Sequence, residues 1–307
     1  DGNFPTVVSP NPENPEGFYL AVDLAKANDV DFILGTDPDS DRVGIMVRDK
    51  DGTYKTVTGN QTGVLLLDYL MGAMARTGRL PEKPVALKTI VTTEMARAVA
   101  EAHGAACYDT FTGFKFLAEK KDKLEAAGEG KVVFSYEESY GYMLGDFVRD
   151  KDAVTASLLL TEMAAYYAGK GMTVLEALQA LYEKYGWYGE KTFNLVMPGL
   201  DGLADMARLM KSLREAPPAQ IAGVNVVQFK DYLDGSVVDL ATGGKTAMEL
   251  SGSNVLRFEL ADGTSIIVRP SGTEPKIKVY ILTKGADAAE RDANVAKYGA
   301  WVDTLKK

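Results

Sequence analysis

The chain has 307 residues, 46% hydrophobic and 25% charged, with one cysteine and one histidine. That length can bury sizeable cores in two or three domains and the composition excludes a wholly disordered chain, while one Cys and one His exclude an internal disulfide framework and a Cys/His zinc cluster. The net charge of −9 and a pI near 4.9 repel phosphates, so a nucleic-acid partner is not expected, and any phosphate site needs a local cluster of Arg, Lys or backbone N–H groups.

In chain order, Gly17, Phe18, Leu20, Ala21, Leu24 and Ala25 form an apolar stripe that predicts a helix over 14–29, ending near Asn28. Asp31-Phe-Ile-Leu34 reads as a strand, 35–42 as a polar loop and 43–47 as a second strand, with a turn at Asp51-Gly52. The period becomes helical from Asn60 to near Gly78. A strand is expected over 85–91, then a helix over 94–103 with Thr93 as N-cap and Gly104 as stop. Thr112-Gly-Phe-Lys115 opens another helix, ended by Gly128 and Gly130, and 131–135 is a strand. Helices follow over 151–169 and 173–185. Strands alternating with helices predict an α/β unit with helices packed on a central sheet. A boundary is expected near 190–200, then one helix and a Pro-Pro break within 199–218. Strands over 255–260, 265–268 and 277–282, with a turn at Asp262-Gly263, and a closing helix over 287–305 complete the pattern. The fold class is therefore α/β, mixed-sheet domains with flanking helices, followed by a smaller α+β C-terminal domain.

Asp37, Asp39 and Asp41 stand two apart between apolar runs. In an extended segment, alternate side chains point the same way, so three carboxylates converge. Two such charges about 5 Å apart repel by roughly 3 kcal/mol at an effective dielectric of 20. The cluster therefore favours a hard cation, Mg²⁺ or Ca²⁺. An EF-hand loop fails, because Arg42 and Arg48 stand where its Gly and Glu belong. A solvated acidic turn is the competing reading; Arg42 and the flanking strands favour the metal.

Ser135-Tyr-Glu-Glu-Ser-Tyr-Gly-Tyr142 follows a strand. Its carboxylates and hydroxyl suit sugar hydroxyls, although an adjacent Glu pair is also a common surface feature. Lys151 offers a phosphate contact or a proton; the alternative is an ion-paired helix N-terminus, where Asp152 is favoured. Arg269-Pro-Ser-Gly-Thr-Glu-Pro-Lys276 joins two strands. Gly272 permits an inward nest of N–H groups, Ser271 and Thr273 add hydroxyls, Arg269 a planar fork and Lys276 a point charge. This is the local positive site that the net charge demands. Gly243-Gly-Lys-Thr246 is not a nucleotide P-loop, because Asp239 stands where a Gly is required. His103 reads as a helix C-terminal residue, Cys107 as a small core or strand residue, and Trp187 and Trp301 as packing residues.

Taken together and in order, these loops resemble the α-D-phosphohexomutase family. Thr36-Asp-Pro-Asp-Ser-Asp-Arg42 is similar to its metal loop. Thr110-Phe-Thr-Gly-Phe-Lys115 and Tyr136-Glu-Glu-Ser-Tyr-Gly141 resemble its sugar-recognition segments, and Arg269–Lys276 its phosphate loop. The Tyr-Glu-Glu-Ser-Tyr-Gly form with Val148-Arg-Asp-Lys-Asp-Ala153 resembles a branch that includes bacterial α-phosphoglucomutases.

The resemblance implies interconversion of glucose 1-phosphate and glucose 6-phosphate through a phosphoserine and glucose 1,6-bisphosphate, which also serves as activator. It implies Mg²⁺ on Asp37, Asp39 and Asp41, catalytic roles for Arg42 and Lys151, and sugar contacts from Thr112, Gly113, Glu137 and Ser139. It further implies that Arg269, Ser271, Gly272, Thr273 and Lys276 hold the non-reacting phosphate. The implied segments are 1–58, the end of a second domain with the metal loop; 59–195, an α/β third domain; and 196–307, an α+β fourth domain. The family's serine loop, of Thr-Ala-Ser-His-Asn-Pro type, has no counterpart here: Thr155-Ala-Ser157 runs into Leu-Leu-Leu, and the one His is His103. The chain is therefore expected to lack the first domain and part of the second, and to be inactive alone. A mannose- or pentose-phosphate mutase, an aspartyl-phosphate phosphatase and a non-catalytic phosphosugar-binding module are the alternatives. No apolar run reaches the about 18 residues of a membrane span and no secretory signal opens the sequence, so a cytoplasmic protein with a phosphosugar substrate and no membrane partner is expected.

Overall fold

Each short apolar run bounded by turn residues becomes a strand in the computed structural model, which describes residues 2–199, 201–272 and 274–305. The chain divides into two units, Asp1–Tyr185 and Gly186–Lys307.

In the first unit, Pro15 opens a single 3-10 turn, Pro15–Phe18, before helix α1 (Tyr19–Ala27). The helix expected over 14–29 is shorter because Pro15 begins this separate turn and Asn28 closes α1, its amide donating to the Leu24 carbonyl at 2.9 Å. Strand β1 (Phe32–Thr36) pairs antiparallel with β2 (Val43–Arg48), from Phe32↔Val47 to Thr36↔Val43, and β2 pairs with β3 (Tyr54–Val57). Phe18, Ala25, Ile33 and Met46 join α1 to this sheet as one buried cluster.

Helix α2 (Gly59–Arg76) starts at a capping box, in which Thr58 and Gln61 satisfy each other's backbone N–H groups. Such a cap contributes about 1 kcal/mol. Four strands then form a second sheet, in the order β5-β4-β6-β7: β4 (Pro84–Thr89), β5 (Ala106–Thr110), β6 (Lys131–Tyr136) and β7 (Tyr142–Leu144). The first three are parallel, and β7 returns antiparallel to β6. Parallel strands need crossovers, supplied by α3 (Met95–Ala102) and α4 (Phe114–Ala126). α5 (Ala153–Ala168) and α6 (Val174–Tyr185) close the unit. Thr93 does accept the Met95 N–H, at 3.2 Å, but Glu94 occupies the cap position. His103 follows α3, and Cys107 lies buried on β5. β5 was not expected, since its residues alternate too weakly in polarity. β4 ends at Thr89, so 90–93 form a turn instead of the end of a strand.

The second unit is an antiparallel sheet of order β12-β11-β10-β13-β14-β15-β8, with β9 beside β10. Its elements are β8 (Trp187–Val196), α7 (Gly202–Glu215), β9 (Gln220–Ile221), β10 (Val224–Asp231), β11 (Ser236–Asp239), β12 (Lys245–Ala247), β13 (Leu256–Leu260), β14 (Ser265–Pro270), β15 (Lys276–Gly285) and α8 (Ala288–Thr304). Sequence reading predicts both helices but, of the strands, only β13, β14 and β15. β8 pairs with β15 along its whole length, Trp187↔Gly285 to Val196↔Lys276. The second unit therefore starts ten residues before the expected 195/196 division, at 185/186. As the last strand of the sheet, β8 leaves Lys191, Thr192 and Asn194 exposed and Glu190 half-buried, and this masks its alternation. Met210 and Leu213 of α7 and Tyr298 and Val302 of α8 join Phe258, Ile266 and Val279 of the sheet in one core, with Trp301 packed against it. Gly243 and Thr242 belong to the β11–β12 hairpin, where Asp239 accepts the N–H groups of Ala241 and Thr242. Among the described residues, no helix is long and apolar enough to cross a membrane.

Candidate functional site

The loop joining β1 and β2 is a tight turn and not an extended segment. Ser40 lies in the left-handed region at φ 58°, and its N–H donates to the Asp37 carbonyl at 3.1 Å. The N–H groups of Asp41 and Arg42 donate to Asp37 Oδ1 at 3.1 and 3.0 Å. One oxygen each from Asp37, Asp39 and Asp41 lies within 4.8 Å of the others. The carboxylates converge as expected, but through this turn. Burial raises the Asp37 carboxyl pKa; the Arg42 N–H opposes this, and Asp41 and Asp39 add to it. A bound cation would reverse that electrostatic cost. An all-oxygen donor set this compact fits Mg²⁺.

Two other segments reach this loop, the start of α5 and the turn after β6. Lys151 Nζ lies 2.6 Å from Asp41 Oδ2. Burial works most strongly against the Lys151 charge, but the hydrogen bond and charge of Asp41, together with Asp150, outweigh it and raise the pKa. Arg42 Nε lies 3.8 Å from both Asp37 and Asp41, and Nη1 lies 3.4 Å from Glu13. Nε is itself buried and makes no hydrogen bond among the described residues. Asp152 caps α5 by accepting the N–H groups of Val154 and Thr155. The Ala153 N–H donates to the Ser40 carbonyl at 3.0 Å, tying the start of α5 to the acidic loop. Lys151 is thus both an ion-paired residue at a helix start and a cation within the site.

The turn after β6 reaches the same place. Arg42 and Gly141 form an antiparallel bridge, and the Val43 N–H donates to the Tyr140 carbonyl at 3.1 Å. Glu137 is buried, at 7% exposure. Its Oε1 accepts the Gly113 N–H and its Oε2 the Ser139 hydroxyl. Burial raises its pKa, against the pull of the Gly113 N–H, Lys151, Ser139 and Arg42. A Cβ on Gly141 would fall 2.6 Å from Lys151 Cδ, so only glycine lets the lysine stem pass. Half-buried Thr112 precedes Gly113 in the chain. Asp37, Asp39, Asp41, Arg42, Gly113, Glu137, Ser139 and Lys151 thus form one connected network.

Sequence reading missed what stands behind this network. Glu138 accepts the hydroxyls of Thr89 and Thr92 at 3.3 and 3.4 Å. Fully buried Lys88 pairs with Glu94 and Asp109, each at 3.0 Å, and Arg97 bridges the same two carboxylates. The available signal was a lysine inside the apolar strand Val85-Ala-Leu-Lys88.

In the second unit, β14 and β15 present Arg269, Ser271, Gly272 and Lys276 on one connection. Gly272 is not left-handed. The Ser271 N–H donates to the Lys276 carbonyl at 2.8 Å, the Lys276 N–H to the Glu274 carbonyl, and the Glu274 N–H to Ser271 Oγ. Lys276 is ion-paired with Glu274. Thr273 lies outside the described residues. Arg269 reaches the Tyr280 hydroxyl at 3.4 Å. It borders a pocket of about 350 Å³ with Ser271 and Gly272, to which Ser253 and Asn254 also contribute. Those last two were not singled out from the sequence, although Ser251-Gly-Ser-Asn254 is a polar turn just before β13.

Three models of the phosphoglucomutase/phosphomannomutase family match in succession: alpha/beta/alpha domain II over residues 1–52, alpha/beta/alpha domain III over 58–185 and the C-terminal domain over 203–295. The phosphoglucomutase of Staphylococcus aureus (strain N315) is 36% identical over 287 residues, covering 94% of this chain and 51% of that protein. That of Staphylococcus epidermidis (strain ATCC 12228) is 34% identical over 281 residues, covering 92% and 50%. The chain spans about half the length of the curated relatives it matches. The open form of Paramecium pp63/parafusin (phosphoglucomutase) shares the fold at TM-score 0.65 and 20% identity, over 97% of this chain and 50% of that one. A phosphoglucomutase/phosphomannomutase family protein from Burkholderia thailandensis does so at TM-score 0.60 and 19% identity, over 100% and 53%. With three domain models matched in order and the acidic loop, the Glu137–Gly141 turn and the basic loop each within them, the chain belongs to the α-D-phosphohexomutase family.

Proposed function

We propose that this chain is the metal-, sugar- and phosphate-recognising portion of a phosphoglucomutase that interconverts glucose 1-phosphate and glucose 6-phosphate. The observation that carries the reading is the network in the first unit, where the acidic loop, Glu137–Ser139 and Lys151 meet. Asp37, Asp39 and Asp41 would hold Mg²⁺, which supplies charge neutralisation during phosphoryl transfer. Buried Glu137 accepts a sugar hydroxyl, and Ser139 adds a second polar group beside it. Thr112 and Gly113 flank that position. Arg42 Nε, a buried donor with no acceptor among the described residues, suits a phosphoryl oxygen. Lys151 Nζ offers a positive charge, or a proton once it leaves Asp41. Arg269, Ser271, Gly272, Thr273 and Lys276 take the phosphate that does not react. Glucose 1,6-bisphosphate is the intermediate and activator of this scheme. Its nucleophile is a serine in a loop that this sequence does not contain.

The test is an assay of the chain as it stands for conversion of glucose 1-phosphate, with Mg²⁺ and glucose 1,6-bisphosphate present. Binding of glucose 1-phosphate without turnover is the expected result. Turnover would place a phosphoryl carrier within these residues and overturn the account of the nucleophile. Absence of binding would overturn the recognition roles.

A further inference from the structure

The pocket beside Arg269 holds a donor whose orientation is set from behind. Asn254 borders it together with Arg269, Ser271, Gly272 and Ser253, while Met206 and Met210 of α7 form an apolar wall. Behind Asn254 lies Arg214, whose Nη2 donates to Asn254 Oδ1 at 2.6 Å. Arg214 is held in turn by Asp231, which accepts its Nε at 2.7 Å. Asp231 is buried at 6% exposure and also accepts the Leu233 N–H at 3.0 Å. A guanidinium has donors only, so the amide edge facing Arg214 must be the oxygen. The Asn254 NH₂ then points away from Arg214, and it donates no hydrogen bond among the described residues. The Ser253 backbone is pinned by its N–H to the Tyr232 carbonyl at 3.1 Å, which limits how far Asn254 can swing.

An oriented NH₂ beside an Arg fork and hydroxyls selects an acceptor-only group. We infer that Asn254 is a further phosphate-binding residue of this pocket, donating from Nδ2 to an oxygen of a phosphate monoester, with Arg214 and Asp231 as its positioning residues. The inference rests on the phosphate role proposed above for Arg269. Met206 and Met210 give the pocket one apolar side, so the oxygen is held by the donors opposite them.

The test is titration of the full chain with inorganic phosphate and with glucose 1-phosphate, followed by NMR. Asn254→Ala should weaken both about tenfold, the usual worth of one hydrogen bond to a charged group. Asn254→Asp should weaken both further, by like-charge repulsion. Asn254 is exposed, so both variants should fold with unchanged Tm. Arg214→Gln should weaken phosphate binding in the parent chain but add nothing in an Asn254→Ala background; a purely structural role would add in both. Arg269→Ala separates the two layers. If it weakens binding while Asn254→Ala does not, the inference on Asn254 is overturned and the phosphate loop stands. If Asn254→Ala affects glucose 1-phosphate but not inorganic phosphate, the donor serves the sugar and the inference fails. If the parent chain binds neither probe, or Arg269→Ala changes nothing, the phosphate role fails first and the inference with it.

Discussion

Two hairpin loops carry opposite charge, and they are held in opposite ways. The acidic loop between β1 and β2 depends on distant segments: Lys151 pairs with Asp41, Tyr140 accepts from Val43, and Ser40 accepts from Ala153. The basic loop between β14 and β15 is held mainly by its own residues: Ser271, Glu274 and Lys276 bond one another and Lys276 is paired within the loop, while the Met197 N–H ties the Pro275 carbonyl from outside at 2.8 Å. A loop that gathers several carboxylates repels itself, so it draws counter-charge from its own Arg42 and, from outside, Lys151. A loop with Arg and Lys can carry its own Glu and still present the Arg. The first arrangement makes geometry depend on the surrounding unit. The second makes it local.

This contrast is open to attack from the largest expected effect downward. Lys88→Met removes the buried cation behind the Thr89–Thr92 pair that holds Glu138. Breaking a buried ion pair from one side costs about 3–5 kcal/mol. Amide exchange should therefore accelerate through β4–β6 and leave β13–β15 unchanged; equal protection in both would remove the asymmetry. Next, Asp41→Ala deletes both a proposed metal ligand and the partner of Lys151. Mn²⁺ affinity, read by paramagnetic relaxation, should fall at least about 100-fold, the upper end of what loss of an outer-shell partner costs and a floor for a ligand. Binding within tenfold of the parent would mean that the acidic turn is merely solvated. Third, Arg269→Ala should weaken inorganic phosphate binding about tenfold or more without altering Mn²⁺ affinity. A change in Mn²⁺ affinity would show that the basic loop is not local after all.

The sequence made the chemistry of both loops legible, but not how each is supported. Asp37, Asp39 and Asp41 announce themselves because three carboxylates at alternate positions are electrostatically costly without a purpose. Their convergence through a left-handed Ser40 is not readable, since serine carries no strong signal for that conformation. Lys151 is visible as a cation at a helix start, yet its pairing with Asp41 joins segments far apart in the chain. Gly272 is not left-handed, since glycine permits that conformation without requiring it. The parallel strands β4 and β6 read clearly as apolar runs. β8 does not, because a strand at the end of a sheet leaves half its residues polar. β9, β11 and β12 are too short to show a period at all.

The smallest effect is the most diagnostic of how the first unit is built. Burial holds the Glu137 carboxyl above its ordinary value of 4.5. The native state then binds the proton more tightly than the unfolded chain does. Whatever stability the protonated form contributes is fully present below the ordinary value and is lost as pH rises through the higher native value. At neutral pH the ionised Glu137 is thus a strain that the fold tolerates. Glu137→Gln keeps an oxygen for the Gly113 N–H and an amide group beside the Ser139 hydroxyl, while removing the buried charge. Its Tm should exceed that of the parent by about 2 °C at pH 8, on the order of what relief of less than 1 kcal/mol gives, and the gap should close toward pH 4.5. Glucose 1-phosphate should bind severalfold more weakly, because a charged acceptor for its hydroxyl is gone. A variant more stable at neutral pH yet poorer at binding is what a site held under strain for function produces. A Tm gap independent of pH would assign the gain to packing, and undiminished binding would take Glu137 out of sugar recognition.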